Sequence, residues 1–189
     1  LNDLAFTHVC GETTAQTLQT AGINLNLVPV VDLNINPDNP IIGHYERSFS
    51  ADPDIVTAHA LEVIGAHHEF GVLTTLKHFP GHGAVLADSH LKLPVDRRDY
   101  GLLLDDMRPY ERLVSNSAIA GVMLAHIVYE QIDAPPAGFT EYWIQRELRS
   151  RLGFGGAVFC DDLSMKATEN YGSMAERGRL ALASGCDMI

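Results

Sequence analysis

The segment Lys77-His78-Phe79-Pro80-Gly81-His82-Gly83, followed by Asp88-Ser89-His90, concentrates the side chains of this chain that can carry protons or bind polar groups. Asp88 and His90 stand two apart in a loop-like stretch. There a carboxylate can accept a hydrogen bond from one imidazole nitrogen, fix the tautomer and raise the basicity of the other nitrogen. Such a pair is a general acid/base that can titrate near the working pH. The competing structural reading is a solvated histidine beside a capping aspartate. Lys77 and His78 end a short, mostly apolar run and offer donors suited to sugar hydroxyls. The alternative for them is a snorkelling lysine and a hydrogen-bonded core histidine. Asp161 and Asp162 end the apolar run 157–160. Side chains alternate along a strand, so one of the two faces an inner mouth, as a nucleophile or cation stabiliser, and the other caps the turn. By residue type His78, His82, Asp88 and His90 also suit zinc or iron. Their spacing speaks against it: His78 and His82 flank Pro80-Gly81, and no H-E-x-x-H or H-x-H is present. No metal and no cofactor is expected.

The elements that must position these groups alternate in type. Apolar spacing predicts a helix over 4–20 stopped by Gly22, then a buried strand within 23–33 that ends in Asp32 and is interrupted by Pro29. A polar Asn- and Pro-rich loop over 34–50 carries Arg47. Asp52-Pro53 opens a helix that runs to Gly71. A strand over 72–76 then delivers the reactive loop. A helix over 100–116 contains Pro109 and is expected to kink or split. A strand over 119–126 ends in His126, and a helix capped by Thr140 runs to 152. A strand over 157–160 leads into Asp161, and Ser173 and Glu176 form a capping box for a helix to Ser184. Residues 186–189 begin another strand. This βα alternation implies a parallel sheet with right-handed crossovers. Polar residues follow nearly every strand (Asp32, Lys77, His78, His126, Asp161), as when strand ends converge around a ring. The expected fold class is therefore α/β, a TIM-type (β/α) barrel showing about five of eight strands, rather than a doubly wound sheet. Residues 1–189 are read as the central part of one barrel domain.

Composition narrows the function classes. The 189 residues carry 13 basic and 24 acidic side chains, a formal net charge of −11. That disfavours a nucleic-acid partner, which needs a basic face. No apolar run is long enough for a membrane span. Three widely spaced cysteines without C-x-x-C fit a reducing compartment. Oligomeric state is not legible.

Taken together, K-H-F-P-G-H-G, D-S-H and F-C-D-D-L-S-M resemble glycoside hydrolase family 3, in its bacterial β-N-acetylglucosaminidase branch, over about residues 25–189. Ile41-Ile42-Gly43 and Glu46-Arg47-Ser48-Phe49-Ser50 resemble that family's substrate-binding loop, with a few extra residues before the arginine. Cys160 stands where serine is usual, and the family's Asp-x-Glu-Gly-Gly-Arg type motif has no counterpart in these residues. The resemblance implies a TIM-type catalytic barrel in a cytoplasmic enzyme. It implies Asp161 as nucleophile, His90 as acid/base, Asp88 as the group orienting it, and Arg47, Lys77 and His78 as holders of the terminal sugar. The implied reaction is retaining exo-hydrolysis of N-acetylglucosamine from muropeptides of peptidoglycan recycling, or from chitooligosaccharides. The rival readings are a metal-dependent hydrolase built on His78, His82, Asp88 and His90, another family 3 β-glycosidase, and a non-catalytic sugar-binding barrel.

Overall fold

A computed structural model describes residues 2–89, 91–116 and 118–189. Helix α1 spans Leu4–Thr20, capped by the Asp3 side chain on the Phe6 amide. Helix α2 spans Pro53–Glu69, with Asp52 as N-cap and proline at the first turn, where a missing N–H costs nothing. Helix α4 spans Met174–Ser184 behind the expected Ser173/Glu176 capping box, and it ends on left-handed Gly185.

The main sheet is made of β1 (Leu25–Asn26), β2 (Leu73–Phe79), β4 (Ile119–Leu124) and β6 (Ala157–Cys160), all parallel and in that order. A parallel bridge from Phe159 to Met188 adds a fifth position beyond β6. The spatial order follows the chain order without reversal. A doubly wound sheet reverses at its switch point, whereas a (β/α) barrel adds each strand on the same side of the last. The sheet is an arc of such a barrel. A separate two-stranded parallel pair, β3 (Val95–Asp96) with β5 (Val128–Tyr129), was not expected from the sequence.

Several expectations are corrected. The strand in 23–33 is laddered only at β1. Past Pro29, which has no donor, the pairing resumes as a bridge from Val30 to Lys77, and the Pro29 carbonyl accepts from the Lys77 amide at 3.3 Å. Strand β2 does not stop at 76. It carries Lys77-His78-Phe79 within the sheet, because the Phe79 carbonyl still accepts from the Ala125 amide at 2.8 Å. Helix α3 (Tyr100–Leu113) is a single element with Pro109 buried inside it. Its core face, Leu103, Met107, Tyr110 and Leu113, recurs at helical spacing and is fully buried. The helix expected from Thr140 is a π-helix over Tyr142–Arg151, with Thr140 Oγ1 accepting from the Tyr142 amide. Its wider turn brings Trp143, Ile144, Glu147 and Leu148 to the core together.

An aromatic cluster binds these helices to the sheet. Phe79 meets Tyr110 edge-on at 5.0 Å and Trp143 at 6.2 Å, and Trp143 meets Tyr129 at 4.9 Å. All four rings are fully buried. Each large ring removes much apolar area from water, and the tilted geometries suit their quadrupoles. Trp143→Ala in the full-length protein is expected to cost about 3–5 kcal/mol, since the π-helix cannot close the void. Equilibrium urea unfolding measures it.

Candidate active site

The chemistry-bearing residues sit where β2 and β6 end. At the end of β2 the organising group is Asp32, which is wholly buried. Its carboxylate accepts from the His78 amide at 3.2 Å, from His78 Nδ1 at 2.7 Å and from the His82 amide at 2.7 Å. Burial alone would raise the Asp32 pKa. The charge and side-chain hydrogen bond of His78, with the His82 amide, outweigh it and hold the carboxyl below its ordinary value. Because a carboxylate can only accept, His78 Nδ1 carries a proton. Its Nε2 is thereby left as the other functional nitrogen of the ring.

The loop after β2 is fastened through its backbone. Tyr129 Oη donates to the Gly81 carbonyl at 2.8 Å, and Asn39 Nδ2 donates to the carbonyls of His82 at 2.7 Å and Val85 at 2.8 Å. Gly81 has φ +153 and packs on Asp106, where a Cβ would lie 2.7 Å from that residue's Cβ. A Cβ at Gly83 would fall inside the van der Waals sphere of the Leu33 carbonyl oxygen, so only glycine fits there. Asp106 and Asp96 both bind Arg98, at 2.6 and 2.7 Å, which fastens the chain beyond the loop. Burial raises Asp106 to about 6 in spite of Arg98. His82 Nε2 lies 3.2 Å from Ser89 Oγ, and the Ser89 carbonyl accepts from the Ala167 amide at 3.2 Å.

Arg47 arrives from the 34–50 loop, which turns on buried Asn39. The Asn39 Oδ1 accepts from the amides of Ile41 and Ile42, and the Arg47 amide donates to the Ile42 carbonyl. Asp161 follows β6 directly. A cavity of about 190 Å³ is lined by Arg47, Lys77, His78 and Asp161, together with Ile41, His82, Ser89 and Met165. Four of the six site residues expected from the sequence thus share one cavity. Of the aspartate pair, Asp161 is the member that lines it, and Asp162 caps the next turn by accepting from the Ser164 amide at 2.7 Å. Asp88 precedes the cavity-lining Ser89, and its carbonyl accepts from the amides of Leu91 and Lys92. His90 lies outside the described residues, so the expected Asp88–His90 pair lies outside them too.

The cavity balances two cations against Asp161. Burial, and then the neighbouring Arg47, lower the Lys77 pKa, while Asp161 and Asp32 act to raise it. Burial and the charge of His78 lower His82 to about 4, so it is neutral at pH 7. Among the described residues, the one convergent set of possible metal ligands is His8, Glu12 and Glu69 on the outer helices α1 and α2. The rings of His78 and His82 are 5.6 Å apart and meet edge-on, with Asp32 on one and Ser89 on the other.

Sequence reasoning placed Asp32 at a strand end but gave it no task, and it missed Asn39, Ser89 and Met165. Asp32 had a signal, as the one carboxylate ending an apolar run opposite the reactive strand. Ser89 and Met165 stand inside the quoted D-S-H and F-C-D-D-L-S-M motifs, which gave them no role of their own, and Asn39 had no signal because its role arises only from the fold.

The neutrality of His82 makes stability depend on pH. Its folded pKa is about 4 against 6.5 in the unfolded chain, so the unfolded state binds more protons between those values. The stability is complete above 6.5 and is lost as pH falls toward 4. For His82→Gln, which keeps a hydrogen bond to Ser89 without titrating, the drop in unfolding free energy from pH 7 to 4.5 is expected to be smaller by about 2–3 kcal/mol. Urea titrations at the two pH values test this.

Residues 1–189 match the Glycosyl hydrolase family 3 N terminal domain. A Beta-hexosaminidase of Shewanella frigidimarina is 45% identical over 181 residues, 95% of this chain and 52% of that protein. The chain spans about half the length of the curated relatives it matches. The solved NagZ of Neisseria gonorrhoeae in complex with N-trifluoroacetyl-D-glucosamine is 38% identical with a TM-score of 0.87, covering 98% of this chain and 52% of its own. A family 3 β-N-acetylglucosaminidase from Paenibacillus superposes with a TM-score of 0.93 at 30% identity, covering 100% of this chain and 36% of its own. A parallel barrel arc, cations and an aspartate gathered at its strand ends, and a match along the whole chain agree: this chain belongs to glycosyl hydrolase family 3.

Proposed function

We propose that the protein is a retaining exo-β-N-acetylglucosaminidase. The observation that carries this is the shared cavity, in which Asp161 faces Arg47, Lys77 and His78 at the C-terminal ends of the barrel strands. Its volume of about 190 Å³ is on the scale of one sugar ring, which favours action at a chain end. The names of the relatives support N-acetylglucosamine as the sugar. We further propose muropeptides of peptidoglycan recycling as substrates, with chitooligosaccharides as alternatives, and a cytoplasmic setting, in keeping with three free thiols.

In the first step an Asp161 carboxylate oxygen attacks the anomeric carbon as the C1–O bond to the aglycone breaks. Protonated His90 gives its proton to the departing oxygen, with Asp88 holding the imidazole. In the second step neutral His90 takes a proton from water, the water oxygen bonds to C1, and the C1–Asp161 ester bond breaks. Most glycosidases use two carboxylates for these tasks. An imidazole in the acid/base role is not repelled by the anionic Asp161. Arg47, Lys77 and His78 donate to the sugar hydroxyls.

Incubation of the full-length protein with a 5-fluoro β-N-acetylglucosaminyl trap, followed by peptide mass spectrometry, is expected to show one sugar adduct on the Asp161 peptide. Turnover without an adduct, abolished by a chelator, would replace this reading with the metal-dependent one. Asp161→Ala is expected to remove hydrolysis, and near-normal activity would end the assignment. His90→Ala is expected to slow substrates with poor leaving groups by a further factor of about 10²–10⁴ relative to activated aryl glycosides, because only the former need protonation. Parallel Michaelis–Menten series on the two substrate types measure the difference.

A further inference from the structure

His126 lies two residues beyond β4 and is 1% exposed. Its Nε2 is 3.0 Å from the Asp161 carbonyl and 3.2 Å from the Asp162 carbonyl. Both partners are acceptors, so Nε2 must carry the hydrogen and donate to both. The other nitrogen, Nδ1, is buried without a partner among the described residues. Burial lowers the His126 pKa, with nearby Asp161 acting the other way. The last paired residues of β4 and β6 are Leu124 and Cys160. Beyond them the backbone ladder stops, and the His126 side chain continues the link from one strand end to the other.

The peptide between Asp161 and Asp162 is held from both sides. Its carbonyl oxygen receives His126 Nε2–H, and its N–H donates to Asp161 Oδ1 at 2.8 Å. The plane of that peptide therefore sets the rotation of the Asp161 carboxylate. We propose that His126 is the positioning residue of the nucleophile: it fixes the Asp161–Asp162 peptide plane so that Oδ1 is engaged by the Asp162 amide and Oδ2 is left for the anomeric carbon. This rests on the proposed glycosidase reading, and His126 itself touches no reacting atom.

The test compares four variants of the full-length protein on an aryl β-N-acetylglucosaminide. His126→Phe keeps a ring beside Phe139, whose centroid is 5.6 Å away, but has no donor. His126→Gln carries an amide N–H out to the Nε2 position, and His126→Asn reaches only as far as Nδ1. The Phe variant is expected to lose about 100-fold in kcat with KM changed less than about twofold, the scale of a misplaced reacting group. Its rate of inactivation by the 5-fluoro trap should fall in parallel. Gln should recover most of the loss and Asn should not. If the Phe variant does not fold, the Gln–Asn contrast alone decides. Equal losses in Gln and Asn, or a loss confined to KM, would overturn the positioning role. Asp161→Asn serves as the control. If it is inactive while all the His126 variants are normal, the inference falls and the function stands. If it turns over normally, the function itself falls.

Discussion

The site depends on a single buried carboxylate. Asp32 has no contact with solvent, and it binds the amide and Nδ1 of His78 and the amide of His82. A buried carboxylate without partners would cost several kcal/mol and would protonate instead. With these partners it stays anionic and ties the end of β2 to the start of the reactive loop. Removing it would leave His78 free to turn over, and the amides of His78 and His82 without this acceptor. The geometry of Lys77 and His78 in the cavity thus follows from a residue more than forty positions earlier in the chain.

Much of the architecture was legible from punctuation and period. Gly22, Asp52-Pro53 and the Ser173/Glu176 pair marked helix ends that the fold confirms. The monotonic βα alternation, with polar residues at strand ends, pointed to a barrel. What escaped depended on tertiary context. Nothing local announces that residues 142–151 take a π-helical turn, because the choice is made by how Trp143, Ile144, Glu147 and Leu148 meet the sheet. Pro109 reads as a break, yet the apolar face of α3 keeps the helix whole. Two-residue strands such as β3 and β5 are too short for any periodicity to show.

The site was legible in a different way. Arg47, Lys77, His78 and Asp161 are spread over more than a hundred positions, and spacing alone gave Lys77, His78 and Asp161 bland alternatives and Arg47 no role. They were singled out together because long motifs occur in a family's order, and the fold then brings these four into one cavity. The supporting groups are harder to see. Asn39 and Tyr129 act on backbone carbonyls, and His126 acts on the backbone beside Asp161, so their sequence context resembles that of ordinary core residues.

The loop between Gly81 and Asp96 is clamped at both feet, by Asp32, Asn39 and Tyr129 on one side and by the β3–β5 pairing with Arg98 on the other. Between the feet Leu86 and Leu91 project into solvent at 70% and 67% exposure. Such an arrangement separates heritable variation into two compartments. Changes at the feet would disturb the cavity, whereas changes at positions such as 86 and 91 alter the outward surface at little cost to folding. The outward surface of this loop can therefore change while the cavity behind it keeps its shape.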